Sequence, residues 1–324
     1  MIHSLPLRAI LCSAALLCFV QTHASAQTAY GVDANFTLFS FDVTNPTSST
    51  TIGNIGFLPE GIDFRPGTNQ LYAINVGETT TQLYTINTAT AAATPVGAGF
   101  ATTGVDYNLA GNQSFGFDFN PKTLQADSSM RIRLISSNGE NMRLNSSTGL
   151  VAAVDVDLAI LPSGGSPFAD AAAYINNIPE VGGTTILFDM DIRNNSLYTQ
   201  NPPNNGSLNL VGAFGVSITN VQQGIGFDVY TTPGDADLTI GGDAAYAVLK
   251  RPDAPVNGPT GAYMLYSVNL GNGQITGGAL VDGGRDFTGG FAIAPGVPEP
   301  ATFALAIGSA LVVVSTARKR NAAI

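Results

Sequence analysis

The chain of 324 residues carries 13 Lys and Arg against 23 Asp and Glu, a formal net charge of -10, and only 11% of it is charged. An acidic surface of this kind disfavours nucleic acid and anionic lipid as partners. Cys12, Cys18, His3 and His23 all precede residue 27 and tryptophan is absent, so the chain downstream excludes a disulfide, a Cys/His zinc site, a Ser-His-Asp or Cys-His nucleophile system and an imidazole pH switch.

Residues 1–26 have the parts of a signal peptide: Arg8, an apolar run from Ala9 to Val20, and Ala24-Ser25-Ala26. A run this short does not span a bilayer as a permanent anchor. Cleavage by signal peptidase after Ala26 is expected, in a Gram-negative-type bacterium.

From 27 to 296, short runs of period-2 alternation sit between turn residues and helical periodicity is almost absent, which predicts an all-β domain. An element recurs: Gly61-Ile62-Asp63-Phe64, Gly116-Phe117-Asp118-Phe119, Ala172-Ala173-Tyr174, Gly226-Phe227-Asp228-Val229 and Gly290-Phe291-Ala292-Ile293. The starts lie about 55 residues apart, except across a last, longer interval containing Arg251-Pro252-Asp253-Ala254-Pro255. Further strands follow each element, as at Leu71-Tyr72-Ala73-Ile74, Leu83-Tyr84-Thr85-Ile86 and Thr94-Pro95-Val96-Gly97. Four strands per unit is the plan of a propeller blade. Asn138-Gly139, Asn205-Gly206 and Asn272-Gly273 supply turns that need positive φ. The segment from Tyr30 to Gly53 matches strands two to four of a unit, and Gly290 opens a strand one with nothing after it. The expected fold is therefore a five-bladed β-propeller closed by the two ends of the chain, with a β-sandwich or barrel as the alternative.

Pro298-Glu299-Pro300 then precedes an apolar run from Ala301 to Ala317, closed by Arg318-Lys319-Arg320, with 321–324 left as a remnant. About 17 apolar residues approach the length of a transmembrane helix, and the basic end would stay cytoplasmic. The order over 297–320 resembles the PEP-CTERM sorting signal. That resemblance implies recognition by an exosortase-type protease, cleavage near the triplet, transient inner-membrane anchoring, and delivery to the cell surface or matrix of bacteria that make exopolysaccharide. Gly61-Ile62-Asp63-Phe64-Arg65-Pro66, Phe115-Gly116-Phe117-Asp118-Phe119-Asn120-Pro121, Arg131-Ile132-Arg133 and Asn141-Met142-Arg143-Leu144-Asn145 resemble an uncharacterised domain family of exported bacterial proteins, a match that implies no mechanism.

Asp63, Asp118 and Asp228 hold the same place in three repeats, and on a propeller axis they would converge as oxygen ligands for a cation such as calcium. The other reading has each bond backbone within its own blade, with Tyr174 and Ala292 interrupting the ring. Arg131 and Arg133 share one strand face. Arg143 joins them if the Asn138-Gly139 turn is a three-residue loop, making an anion clamp or a set of internal ion pairs. Gly234-Asp235-Ala236-Asp237 with Asp243 has part of a calcium-loop pattern. Glycoside hydrolysis needs only two carboxyl groups facing a cleft, and Glu60, Glu78, Glu140 and Glu180 are the glutamates available. The leading expectation is a non-enzymatic surface or matrix module that meets exopolysaccharide or envelope components. The alternative is a carboxylate-dependent polysaccharide hydrolase or lyase.

Overall fold

The computed structural model describes residues 27–295, apart from 112, 126–127, 164, 178–184, 217, 219–224, 233–239, 251–261 and 286. Five antiparallel sheets surround one axis, so the propeller expectation holds and the sandwich and barrel alternatives do not. Blade 1 is β4 (Gly61–Arg65), β5 (Gln70–Val76), β6 (Thr80–Ile86) and β7 (Ala93–Ala101). Blade 2 is β8 (Phe115–Asn120), β9 (Arg131–Ser136), β10 (Asn141–Asn145) and β11 (Val151–Val154). Blade 3 is β13 (Ala169–Tyr174), β14 (Leu187–Asp191), β15 (Ser196–Gln200) and β16 (Ser207–Ala213), with a short β12 (Ala159–Ile160) added in parallel to β16. Blade 4 is β17 (Gly226–Thr231), β18 (Asp243–Lys250), β19 (Tyr263–Val268) and β20 (Ile275–Leu280).

Blade 5 closes the ring as expected. Its inner strand is β21 (Phe291–Ile293), paired with β1 (Thr28–Val32), then β2 (Thr37–Asp42) and β3 (Asn45–Asn54). Tyr30 lies opposite Ala292, joining residues from the two ends of the described chain. Phe39, Phe41, Phe287 and Phe291 cluster behind this seam, the Phe39 and Phe287 ring centroids 5.0 Å apart at an interplanar angle of 85°. Burial of these rings and their edge-to-face packing hold the closure.

Each inner strand packs on the next, and β21 packs back on β4. Both faces of an inner strand therefore meet a neighbouring blade, and β8 and β13 are buried along nearly their whole length. Outer strands alternate or lie open, as β3 does. Close approach at the axis depends on residues without side chains: a Cβ on Gly116 would sit 2.6 Å from the Ala172 nitrogen, and one on Gly61 would sit 2.5 Å from the Phe117 Cβ. The predicted turns are made with left-handed glycines, Gly139 at φ 97°, Gly206 at 62° and Gly273 at 77°.

Among the described residues no helix is long and apolar enough to cross a membrane. The expected transmembrane helix therefore has no counterpart among them, and the surface localisation that rested on its anchoring is withdrawn. The tail itself, with Pro298, Glu299, Pro300, Arg318, Lys319 and Arg320, lies outside the described residues, as does the signal segment 1–26.

Gly116→Ala forces a methyl group into the backbone of the next blade and is expected to lower the unfolding free energy by about 1–3 kcal/mol. Urea denaturation of the two proteins checks this.

Candidate functional site: a carboxylate axis

The third residue of the repeated element brings three carboxyl groups together. Oxygens of Asp63, Asp118 and Asp228 all lie within 4.8 Å of one another, and the three residues are buried. Backbone amides fix each of them. Asp63 accepts from Phe64 of its own strand at 2.6 Å and from Phe119 of blade 2 at 2.7 Å. Asp228 accepts from Val229 at 2.6 Å and from Ile293 of blade 5 at 2.6 Å, and Asp118 accepts from the Tyr174 amide of blade 3. The carboxylates converge as one reading expected, and they also bond backbone, but each to the next blade, with a bond in the home strand as well for Asp63 and Asp228.

The same bonds correct the register of blade 3. Tyr174 donates where Phe119 and Ile293 donate, so it corresponds to the residue after the aspartate. Ala173, not Tyr174, takes the aspartate position in blade 3, and Ala292 takes it in blade 5. Three of five positions carry charge, and two carry a methyl group.

Burial pushes all three carboxyl groups up, Asp228 to about 7, and Asp63 and Asp118 well above the usual range. For Asp63 the Asp228 charge adds to this; for Asp118 the Asp63 and Asp228 charges do. The amide bonds oppose the rise without cancelling it. Three dry carboxylates cannot all ionise side by side, so the cluster holds protons at neutral pH or takes up a cation. The donor set fits one. Calcium sits at about 2.3–2.6 Å from its oxygen ligands, so two opposed ligands span about 4.6–5.2 Å, which matches the 4.8 Å limit of the cluster. The cluster is therefore capable of coordinating a divalent cation such as calcium.

Above it, at the start of the inner strands, is a recess of about 20 Å³ lined by Glu60, Gly61, Phe117, Ala172, Phe227 and Phe291 among others. That is room for about one water molecule. Burial raises the Glu60 carboxyl to about 7. Asp170, one position before the blade 3 inner-strand alanines, is also raised to about 7 by burial, and accepts from the Ile192 amide at 3.0 Å.

The arginine triad is gathered on one face, because the turn after β9 is a three-residue loop: the Ser136 amide donates to the Glu140 carbonyl, and Arg133 lies directly opposite Arg143. Its charge is spent internally. Arg133 and Arg143 both bind Asp155, each with an N to O distance of 2.7 Å, while Arg131 reaches Ser129 at 3.3 Å. Arg133 is 2% exposed and also donates to Asn141 at 2.7 Å and to Asn204 of blade 3 at 2.9 Å. Glu140 accepts from the Asn108 amide, Glu78 is exposed, and Asp243 accepts from the Thr231 hydroxyl. Glu180, Asp235 and Asp237 lie outside the described residues.

Sequence reasoning missed Asp189. It is fully buried on β14, neither carboxyl oxygen has a hydrogen-bond partner among the described residues, and burial lifts its pKa to about 8, against the pull of the nearby Arg133 charge.

A family model described as "Domain of unknown function (DUF4394)" matches residues 37–290. The chain belongs to this family. No curated protein matches it. Solved structures of similar outline include a nidogen/laminin complex, at 9% identity and a TM-score of 0.45, covering 83% of this chain and 98% of that one. Another is the exo-beta-1,3-galactanase 1,3Gal43A of Clostridium thermocellum, at 11% and 0.44, covering 86% and 64%. A third is a putative exo-beta-1,3-galactanase of Bifidobacterium bifidum, at 12% and 0.44, covering 79% and 89%. Likeness at this level says nothing of activity.

The axis itself overturns the expectation of a non-enzymatic binding or structural module, and the leaning away from an enzyme. Three buried carboxyl groups converge there, all raised in pKa by burial. Each costs stability, and strongly shifted acids of this kind cluster where chemistry is done.

The folded-state pKa values of Asp228 and its neighbours lie above their unfolded values. Their stabilising contribution is thus complete below about pH 4 and is lost as pH rises through about 7. In chelator the melting temperature is expected to fall across that window. Calcium should restore it at pH 7–8, and in Asp228→Asn the calcium response should be lost; scanning calorimetry reads all three. For Asp189 the same sign gives a loss of stability up to about pH 8. With calcium present throughout, Asp189→Asn should therefore melt close to the parent at pH 5 and clearly above it at pH 9.

Proposed function

We propose that the domain is a carboxylate-dependent polysaccharide hydrolase with the axial recess as its reaction centre. One observation carries this reading: Glu60 lines a water-sized recess directly above three converging aspartates. With neither His nor Cys after residue 26, carboxyl groups are the acid–base machinery available, and glycosidic bonds are the substrates that two carboxyl groups suffice to hydrolyse. Room for a water beside Glu60 favours hydrolysis over elimination. In this reading Glu60 takes one proton of the attacking water as its oxygen bonds to the anomeric carbon, the bond from that carbon to the leaving sugar oxygen breaks, and the leaving oxygen takes up a proton from solvent. A cation held by Asp63, Asp118 and Asp228 would brace the three inner strands that carry them and temper their negative charge. The chain's own residues do the rest: Phe117, Phe227 and Phe291 help line the recess, and burial keeps the pKa of Glu60 high.

A base works when deprotonated, so turnover is expected to rise as pH climbs through about 7, the value burial gives Glu60. Glu60→Gln should lower kcat by about 10²-fold or more with a melting temperature no lower than the parent's. The measurement is reducing-sugar release from a panel of neutral and acidic polysaccharides. No release from any of them, or equal rates for the parent and Glu60→Gln, overturns the reading.

The order of Pro298-Glu299-Pro300, the apolar run and Arg318-Lys319-Arg320 supports a separate proposal about processing partners, namely signal peptidase at Ala26 and an exosortase-type protease near the triplet. Mass spectrometry of the mature chain ends tests both.

A further inference from the structure

The outer flank between blades 4 and 5 carries a groove of about 340 Å³, bordered by Thr44 and Pro46 of blade 5 and by Tyr246, Ser267, Gly277 and Gly278 of blade 4. Its volume is in the range of small-molecule sites. A local backbone feature accounts for it. In blades 3, 4 and 5 the outer strand bulges opposite the same point of the third strand, where the pairing skips Val211, Gly278 and Ile52 in turn. Val211 and Ile52 pack against the apolar core of their blades. Blade 4 instead has a glycine pair there: a Cβ on Gly278 would sit 2.9 Å from the Tyr266 ring, so that ring fills the place of the branched side chain, whereas a Cβ on the neighbouring Gly277 would meet nothing within 4 Å. The flank beside Gly277 is left open, with the half-buried Tyr246 along one wall.

The lining defines the ligand. Leu265 and Pro46 give an apolar floor, Tyr246 an aromatic ring, and Ser267 an exposed hydroxyl. The Thr44 hydroxyl donates to Asp42 at 2.8 Å, so a carboxylate lies behind one of the lining residues. No Lys or Arg is among the described residues that line the groove. An anionic ligand would meet Asp42 uncompensated, whereas the ring and hydroxyl edge of a neutral sugar match an aromatic wall with oxygen acceptors.

We infer that this groove is a second, non-catalytic glycan site that holds one or two residues of a neutral polysaccharide chain, with Tyr246 as the stacking platform. It extends the hydrolase reading by naming a neutral polymer as the substrate class, and in that respect rests on it. The binding claim itself rests on the groove.

The test is calorimetric titration of the full chain with cellotetraose, xylotetraose and tetragalacturonate. Saturable binding of at least one neutral tetraose, and none of tetragalacturonate, is expected. Tyr246→Ala should weaken that binding at least about tenfold through loss of the stacking face. Ser267→Trp, at an exposed position, should block the groove to the same extent without disturbing the fold, which an unchanged melting temperature verifies. Glu60→Gln should bind as the parent does. No binding of either neutral tetraose, tighter binding of tetragalacturonate, or unaltered binding in Ser267→Trp overturns the inference. Because titration needs no turnover, a parent protein that binds but releases no sugar would sink the hydrolase reading and leave the groove standing.

Discussion

The bond from an axial aspartate to a backbone amide of the next blade is the contact on which the centre of this molecule depends. It joins strands about 55 to 65 residues apart, from Asp63 to Phe119, from Asp118 to Tyr174 and from Asp228 to Ile293. An inner strand has a neighbour on only one edge of its sheet. Its other edge faces the axis, where amides would go unpaired. A carboxylate reaching from the previous blade satisfies one such amide and sets the spacing between blades. The same reach carries its charge to the axis, so tying blades together and concentrating carboxyl groups are one event.

Glycine makes that event possible. With Gly61, Gly116, Gly226 and Gly290 heading four of the inner strands, the blades approach closely enough for an aspartate to span the gap. Where the sequence has Ala173 the axial carboxylate that would reach from blade 3 to blade 4 is absent, whereas the seam between blades 2 and 3, already tied by Asp118, is reinforced by further polar groups. Arg133 crosses it to Asn204 and shares Asp155 with Arg143, while Asp189 lies buried nearby with no hydrogen bond to its carboxyl group among the described residues. Removing one partner from such a network strands a buried charge, which is why the seam is stiff although it is polar.

The architecture was legible because each blade repeats its own signals. Period-2 runs, Asn-Gly turns and a recurring Gly-aromatic-Asp element supply the strand count, and the split blade explains why the first and last elements look incomplete. The axial trio followed from the same repetition. What the repeat could not supply is anything that breaks it. The alanine run 171–173 carries no side chain to fix its alignment, so the register slipped by one residue until the Tyr174 amide bond located it. Second-strand Leu187–Asp191, with Asp189 inside it, follows a segment outside the described residues and has no counterpart motif in the other blades. Glu60 was visible as a loop residue, but its place at the recess comes from the ring of neighbours that four other blades contribute. The joining of Arg133 to Arg143 turned on loop length, which Asn138-Gly139 alone leaves open.

Stability and chemistry pull against each other along this axis. The aspartates give up hydration and repel one another, and the amide bonds return only part of that cost, as their raised pKa values record. Asp63 and Asp228 each accept two backbone amides, one on each carboxyl oxygen, and asparagine, with a single acceptor oxygen, could keep only one of them. At those two positions the bonding itself calls for a carboxylate, and its charge comes with it. Charge held in a dry, preorganised ring serves an occupant that is itself positive, or a reaction that develops positive charge nearby, as glycoside cleavage does in its oxocarbenium-like transition state. The two uses are compatible, since a bound cation offsets the repulsion within the trio while leaving Glu60, one layer above, free to exchange its proton with a water in the recess.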